Sequence, residues 1–240
     1  MFFFVRVVLV ACIFISLPPE IITIGMENEK KIAVLFDFDG VVVDTETQYS
    51  EFWHKMGVEY LGIDDIEGRV KGQTLTYIYD TFFAGMEKDQ QEITARLNRF
   101  EQEMSFQFIP GVLDFIGELQ TKGVKTAVVT SSNQQKMKAV YQAHPELPSL
   151  FDEILTAERF AASKPHPDCF LLGMRLFGTD AESTFVFEDS FNGLKAGLAS
   201  GARVIGLATT QTAEQIAPFC HHILNDFTGF TYDKMLQVHK

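Results

Sequence analysis

The amino-acid sequence predicts an α/β fold, a parallel sheet covered by helices, with a helical subdomain inserted after the first strand. Two observations lead to this prediction. From Lys31 onward, short apolar runs rich in β-branched residues alternate with segments of helical periodicity, as in a parallel sheet with helical crossovers. Between the first two runs, however, residues 46–107 show helical periodicity and no convincing strand. A crossover needs only about a dozen residues, so the excess indicates an insertion.

Five apolar runs are predicted to form the sheet, and each is followed by a loop rich in polar residues. Their length and composition are typical of buried strands. The predicted strands comprise residues 31–36, 124–130, 152–156, 184–188 and 203–208.

Four segments with apolar residues at helical spacing are predicted helices. We expect Asp44 or Thr45 to be the N-cap of the first, because their side chains accept hydrogen bonds from the free N–H groups of a helix start. Pro110 and Gly111 interrupt the pattern and mark the end of the insertion. The predicted helices comprise residues 45–56, 75–83, 88–104 and 112–122.

The order of these elements predicts two domains. Residues 26–45 and 108–240 are expected to form a core domain, and residues 46–107 a helical cap. The break points are the start of the first predicted helix and the segment before Pro110.

The segment 1–25 is set apart from both domains by its composition. Its first 17 residues are apolar except for Arg6, which is short for a membrane span, and no cleavage pattern follows. We favour a translation start at Met26, which predicts a cytoplasmic protein without stable membrane association. If residues 1–25 are retained, they predict an exported or membrane-anchored protein.

The charge balance argues against nucleic acid as a partner. Acidic residues number 32 and basic residues 20, giving a net charge of −12 without any dense Lys/Arg run. A phosphate backbone is repelled by such a surface, whereas one metal ion and one lysine suffice to bind a small phosphorylated metabolite. Cys12, Cys169 and Cys220 lack the spacing of a zinc site or a disulfide framework. We expect reduced thiols and a monomer or weak dimer.

Polar residues suited to catalysis follow four of the predicted strands. The carboxyl ends of parallel strands lie at one edge of a sheet, where open α/β sheets bind ligands. We therefore expect these residues to meet at a single site. They are Asp37 and Asp39 after the first strand, Thr130, Ser131, Ser132 and Asn133 after the second, Lys164 beyond the third, and Glu188 and Asp189 at the end of the fourth.

This set of residues suits phosphoryl chemistry. Crowded carboxylates repel one another unless a cation lies among them, and all-oxygen ligands favour Mg²⁺. Residues two apart in a strand face the same way, which suits Asp37 and Asp39 to one site. Gly40 allows a tight turn and close backbone approach to an anion. Lys164 would neutralise phosphoryl charge, and the Thr130 hydroxyl would hydrogen-bond a phosphoryl oxygen.

Four sequence segments resemble the ordered motifs of the haloacid dehalogenase superfamily. They are "DFDGVVVDTE", "VVTSSN", "KPHPDCF" and "FEDSFNGLKAGLASG", and the resemblance covers about residues 31–210. The long insertion resembles the subgroup with a helical cap after the first motif, which includes β-phosphoglucomutase and phosphoglycolate-phosphatase-like enzymes. The resemblance implies a Rossmann-like core and Mg²⁺-dependent phosphoryl transfer through an aspartyl-phosphate.

The resemblance also implies a role for each motif residue. Asp37 would be the nucleophile and a Mg²⁺ ligand, and Asp39 the general acid/base, with its backbone carbonyl on the metal. Thr130 and Lys164 would hold the transferring phosphoryl group. Glu188 and Asp189 would complete the metal site. The candidate substrate contacts are Gly40, Lys71, Gly72, Ser131, Ser132 and Asn133; Ser132 and Asn133 are also candidate caps of the following helix.

The cap sequence favours a phosphatase over a mutase. β-Phosphoglucomutase has a histidine ten residues after the general acid and a cap arginine that grips a second phosphate. Tyr49 and Leu75 stand at these positions here, although Lys71 and Gly72 remain. Without the arginine, the bidentate grip on the distal phosphate of a bisphosphate is lost. Hydrolysis of a small phosphate monoester is therefore favoured; phosphoglucomutase activity is the alternative, and a non-catalytic phospho-ligand binding protein a further one.

Overall fold

The computed structural model describes residues 31–240 except Gly72 and Thr74. The predictions for the segment 1–25, for a start at Met26 and for Gly72 as a substrate contact lie outside these residues. Within the described part of the chain, no helix combines the length and apolar character needed to cross a membrane.

Strands and helices alternate along the core domain, as the apolar runs predict. The eight strands of the described residues are β1 (Ala33–Phe36), β2 (Val43–Asp44), β3 (Gln107–Phe108), β4 (Lys125–Val129), β5 (Glu153–Leu155), β6 (Thr184–Glu188), β7 (Arg203–Leu207) and β8 (His222–Leu224). The α-helices are α1 (Glu46–Met56), α2 (Ile66–Val70), α3 (Leu75–Phe82), α4 (Glu87–Glu103), α5 (Val112–Thr121), α6 (Gln134–Ala143), α7 (Leu147–Leu150), α8 (Asp168–Phe177), α9 (Phe191–Ser200), α10 (Ala213–Ile216) and α11 (Tyr232–Leu236).

A six-stranded parallel sheet forms the centre of the core domain. Its strand order is β5-β4-β1-β6-β7-β8, and every pairing is parallel. β1 lies between β4 and β6, with Phe36 opposite Val128 on one side and Phe187 on the other. This topology confirms the predicted α/β fold and brings the ends of β1, β4 and β6 together.

Both faces of the sheet are covered by helices, because successive side chains of a strand point to opposite faces. Val34 and Phe36 pack into a cluster with residues of α5, α6 and α11. Leu35 packs into a second cluster, on the opposite face, with residues of α8, α9 and α10. β1 is therefore buried on both faces, which explains its unbroken apolar sequence.

Aromatic packing fills the first of these clusters. The rings of Phe36 and Phe187 stack at 5.0 Å, and those of Phe115 and Phe227 stack at 5.5 Å. All four side chains are at most 1% exposed. Burial of each such side chain stabilises the fold by roughly 1.5–3 kcal/mol, so these phenylalanines are core material.

Helices α1 to α4 pack around a separate hydrophobic cluster. The insertion leaves and rejoins the core through a two-stranded antiparallel ladder, in which Val43 pairs with Phe108 and Asp44 with Gln107. This ladder lies at both ends of the predicted insertion and fixes them side by side. The buried residues of the cluster are Phe52, Trp53, Met56, Ile66, Val70, Ile78, Phe83, Ile93 and Leu97.

Of the two predicted N-caps of α1, Thr45 occupies the position, but neither side chain caps the helix. Asp44 lies in β2, where pairing with β3 keeps its backbone extended. Thr45 occupies the N-cap position but makes no side-chain capping bond. Its hydroxyl instead donates to Asp39 Oδ1 at 2.7 Å. The predicted N-cap position is therefore confirmed at Thr45, whereas the predicted capping bond is wrong, since the hydroxyl is directed to a carboxylate outside the helix.

Candidate active site

The end of β1 places Asp37 at the edge of the sheet. Its backbone N–H donates to the Phe187 carbonyl at 2.9 Å, so the strand pairing extends by one residue. The chain then turns at Gly40, which has φ of 78°. A Cβ on Gly40 would lie 2.0 Å from Asp189 Oδ2. Glycine is therefore required here both for the positive φ and for the close approach of Asp189.

Three buried carboxylates lie together at this edge. Ligand oxygens of Asp37, Glu188 and Asp189 all lie within 4.8 Å of one another. Lys164 faces the same group, with Nζ 2.6 Å from Asp37 Oδ1 and 2.7 Å from Glu188 Oε1. One lysine against three carboxylates leaves an excess of buried negative charge, and the donors are all oxygens. The donor set thus fits a hard divalent cation such as Mg²⁺.

The electrostatics of the cluster follow from burial and mutual repulsion. Burial raises the pKa of Asp37 to about 7; the positive charge of Lys164 opposes this shift, and the negative charge of Glu188 adds to it. Burial also raises the pKa of Asp189 well above its ordinary value, with repulsion from Glu188 and Asp37 adding to the effect. A cation among these groups would favour their ionised forms.

Glu188 is held firmly by the start of the next helix. Its Oε2 accepts the backbone N–H groups of Asp189 and Ser190 at 2.8 and 2.9 Å. A Cβ on Gly193 would lie 1.6 Å from Glu188 Oε1, so only glycine leaves room for this carboxylate. Asp189 is fixed separately, because the Thr210 hydroxyl donates to its Oδ2. Among the described residues, hydrogen bonds reach both oxygens of Glu188, whereas Asp189 accepts through Oδ2 alone.

Asp39 has different surroundings from Asp37. Its Oδ1 accepts from Lys136 Nζ and Thr45 Oγ1, both at 2.7 Å, and its Oδ2 accepts from Ser132 Oγ at 2.9 Å. Burial alone would raise the pKa of Asp39, but the charge and hydrogen bond of Lys136, with the two hydroxyls, hold it below its ordinary value. One ammonium group and two hydroxyls thus hold both oxygens of this carboxylate.

The four polar residues of the loop after β4 make different contacts. Thr130 is buried, and its hydroxyl oxygen accepts the Ser132 N–H at 2.9 Å; within the described part of the chain its own proton has no acceptor. The Asn133 side chain accepts the Lys136 N–H at 2.9 Å and caps α6. Ser131 is exposed and lines the adjacent cavity. Of the two candidate caps, Asn133 caps the helix and Ser132 contacts Asp39.

A cavity of about 510 Å³ lies between the strand ends and the cap. Asp37, Asp39, Thr130 and Lys164 line its core side. Among the described cap residues that line it, Lys71 is the one cation. The polar cap residues facing the cavity are Glu46, Tyr49, Ser50, Glu67, Lys71, Gln73, Asn98 and Glu101.

Two site residues were missed by the sequence prediction. Lys136 is buried on α6 with Met137 and Val140. A helical lysine is normally exposed, so the sequence offers only a weak signal for it. Thr210 lies in the loop after β7, a further strand end at the same edge.

Comparison with known proteins gives consistent matches. The sequence model of the family described as haloacid dehalogenase-like hydrolase matches residues 34–207. Hexitol phosphatase A of Escherichia coli is 29% identical over 180 residues, which cover 72% of this chain and 81% of that protein. Protein SUPPRESSOR OF QUENCHING 1, chloroplastic, of Arabidopsis thaliana is 29% identical over 200 residues, 78% of this chain but only 19% of that protein.

Among solved structures, a family IA, variant 3 hydrolase of this type from Entamoeba histolytica superposes with a TM-score of 0.74. It covers 86% of this chain and 98% of its own, at 22% sequence identity, and therefore shows the shared fold. The family match spans most of the chain and includes the ends of β1, β4 and β6. The predicted enzyme family is confirmed: the chain belongs to the haloacid dehalogenase-like hydrolases.

Proposed function

We propose that the protein is a Mg²⁺-dependent phosphatase that hydrolyses a small phosphate monoester, a sugar phosphate or similar metabolite, through an aspartyl-phosphate on Asp37. The observation that carries this proposal is the arrangement at the end of β1. Asp37 contacts the buried Lys164 and lies in a cluster of three carboxylates with Glu188 and Asp189. Asp37 and Asp39 line the same cavity. The relation to a named hexitol phosphatase supports the choice of substrate class.

Asp37 and Asp189 are the residues that would hold Mg²⁺ directly. Glu188 supports them by holding Lys164 and the loop after β6. When bound, the ion would neutralise the carboxylates and the phosphoryl oxygens. The Asp39 backbone carbonyl remains a proposed ligand on the strength of the family resemblance.

In the first step, a carboxylate oxygen of Asp37 forms a bond to phosphorus while the bond to the ester oxygen breaks. Asp39, whose pKa is held below its ordinary value, must take up a proton before this step; it then donates that proton to the departing oxygen, which leaves as an alcohol. Lys164 and the free hydroxyl proton of Thr130 stabilise the charge of the transferring phosphoryl group.

In the second step, water attacks the phosphorus of Asp37-phosphate. Asp39, now a carboxylate, takes a proton from that water, and the bond to Asp37 breaks to release inorganic phosphate. One ester and one water thus give one alcohol and one phosphate. Closure of the cap would exclude bulk water during the first step, and the second requires that one water molecule enters.

The cap wall supports hydrolysis over mutase activity. Glu46, Glu67 and Glu101 face the cavity, against the single described cation Lys71. Leu75, which the sequence resemblance aligns with the cap arginine of the mutase, lines the cavity. The second phosphate of a bisphosphate would meet more negative than positive charge here.

The test is phosphate release from 4-nitrophenyl phosphate and from a panel of sugar phosphates. We expect release that depends on Mg²⁺ and is lost in Asp37→Asn; full activity of that variant would refute the nucleophile assignment. Conversion of β-glucose 1-phosphate to glucose 6-phosphate with a bisphosphate primer, faster than phosphate release, would instead favour the mutase. Tight ligand binding without turnover would favour the binding protein.

A further inference from the structure

Lys136 is a buried lysine whose position the strand-end motifs do not explain. It lies on α6 of the core domain and is 8% exposed, whereas Lys138 on the same helix is exposed. A buried ammonium group costs free energy unless it is paired and hydrogen-bonded. Its Nζ lies 2.7 Å from Asp39 Oδ1 and 2.9 Å from the Tyr49 hydroxyl. Both partners line the cavity, so the lysine is directed toward the site rather than toward solvent.

The Tyr49 contact links this lysine to the cap. Tyr49 lies on α1, and Lys136 Nζ lies 4.9 Å from the centroid of its ring. The Tyr49 hydroxyl donates to Glu101 Oε1, on α4, at 2.8 Å. A continuous polar chain therefore runs from Asp39 in the core domain through Lys136 and Tyr49 to Glu101 in the cap. Since Lys136 contacts Tyr49 of the cap, displacement of α1 and α4 would remove one of its two hydrogen-bond acceptors among the described residues.

Lys136 is also the charged donor among the three that hold Asp39. The other two, Thr45 and Ser132, are hydroxyls, which form weaker hydrogen bonds to a carboxylate than an ammonium group does. The lysine and Thr45 share Oδ1 of Asp39, and Ser132 takes Oδ2. Without the ammonium group, only the hydroxyls of Thr45 and Ser132 would orient this carboxylate.

We propose that Lys136 is a positioning residue that holds the Asp39 carboxylate in the orientation for proton transfer and couples that orientation, through Tyr49 and Glu101, to the seated position of the cap. This rests on the proposed function, in which Asp39 protonates the leaving oxygen. Through the contact between Lys136 and Tyr49, catalysis would depend on the position of the cap. Asp39 is fully oriented only when α1 and α4 are seated on the core, so binding of substrate under the cap assembles the proton donor.

The dependence on the leaving group separates positioning of the acid from general damage. An alkyl phosphate such as glycerol 1-phosphate needs a proton on its departing oxygen, whereas 4-nitrophenolate leaves without one. The kcat/KM value reports the first irreversible step, formation of the aspartyl-phosphate. A misplaced Asp39 should therefore lower kcat/KM for the alkyl ester and leave the aryl ester nearly unchanged.

The experiment measures kcat/KM for both esters with wild type, Lys136→Met, Tyr49→Phe and the double variant. General acid catalysis contributes about 10²- to 10⁴-fold, so partial loss of orientation in Lys136→Met should lower the alkyl value by about 10- to 100-fold, mainly in kcat. Tyr49→Phe should lower it less, in the same direction. The double variant should have the same kcat/KM for the alkyl ester as Lys136→Met, because both changes break the same series of polar contacts. Lys138→Met, on the same helix, is the matched control and should match wild type.

Three results would overturn the proposal: equal loss for both esters, a loss confined to KM, or no loss in either single variant. If thermal unfolding shows that Lys136→Met does not fold, Tyr49→Phe alone tests the proposal. The measurement is then its ratio of kcat/KM for the alkyl ester to kcat/KM for the aryl ester. Absence of phosphate release from either ester by the wild-type enzyme would instead refute the proposed function.

Discussion

Replacement of Gly193 by alanine places a methyl group in the space that the Glu188 carboxylate occupies. The added Cβ would lie 1.6 Å from Oε1 and 1.8 Å from Cδ of Glu188, so one of the two must move. Glu188 cannot move freely, because it accepts hydrogen bonds from Lys164 Nζ and from the backbone N–H groups of Asp189 and Ser190. The substitution therefore tests whether this carboxylate is fixed where the structure places it.

The expected cost follows from the bonds that are broken. Each hydrogen bond to a charged group is worth about 1.5–3 kcal/mol, and displacement of Glu188 removes one or two of them. The higher helix propensity of alanine offsets up to about 1 kcal/mol. We expect a net loss of about 3 kcal/mol in the free energy of unfolding. At about 2–4 °C per kcal/mol for a chain of this size, the Tm should fall by about 6–12 °C.

Thermal unfolding followed by circular dichroism measures this shift. The matched control is Gly117→Ala, also within a helix, because a Cβ at Gly117 meets nothing within 4 Å. That variant should gain up to about 1 kcal/mol from propensity alone. If Gly193→Ala were as stable as wild type while the control behaved as expected, the assigned position of Glu188 would be refuted. Phosphate release should also fall in Gly193→Ala, since Lys164 loses one of its acceptors.

Three further predictions concern the core, the cap and the surface. Phe187→Ala removes a fully buried ring that stacks on Phe36, and should lower stability by about 3–5 kcal/mol in a denaturant titration; a loss under about 1 kcal/mol would contradict the packing. Leu75→Arg adds a cation to the cap wall and should lower KM for a sugar bisphosphate about tenfold relative to the monophosphate; an unchanged ratio would show that this wall does not meet the second phosphate. Burial raises the pKa of Asp152, but hydrogen bonds from Lys125 and a backbone N–H outweigh this and lower it. A lowered pKa means that Asp152 stabilises the fold above its unfolded-state pKa of about 3.9 and loses this effect as the pH falls. The stability gap to Asp152→Asn, under about 1 kcal/mol, should therefore shrink from about pH 5 downward and close as the pH falls through the lowered pKa; a gap that stayed constant would contradict the ionic contact.

The sequence predicted the parts of the fold that local pattern determines. β1, β4, β6 and β7 are continuous apolar runs because helices cover both faces of the sheet. β8 was not predicted, since it has three residues and begins with a histidine. The short helix α2 and the π-helical turn Gly57–Leu61 were likewise too short to show a period.

Some residues of the candidate site could be predicted from the sequence and others could not, for a similar reason. The residues after the strands were predicted because topology alone brings the carboxyl ends of parallel strands to one edge. Lys136 was not, because a helical lysine is normally exposed and its burial depends on how α6 packs. Its acceptor Asp39 is 97 residues away in sequence, and no local pattern records such a contact. The same holds for Thr210, which contacts Asp189 across 21 residues.

The two aspartates of the first motif show how such distant contacts determine chemistry. Asp37 and Asp39 are two residues apart, yet their pKa values shift in opposite directions. Asp37 shares its surroundings with two further carboxylates, so a cation there would favour its ionised form and hence its proposed role as nucleophile. Asp39 is not among these three clustered carboxylates, and Lys136 and two hydroxyls hold it. The proton transfer that we propose at Asp39 would therefore depend on the contacts of the protein itself, including the one that reaches the cap.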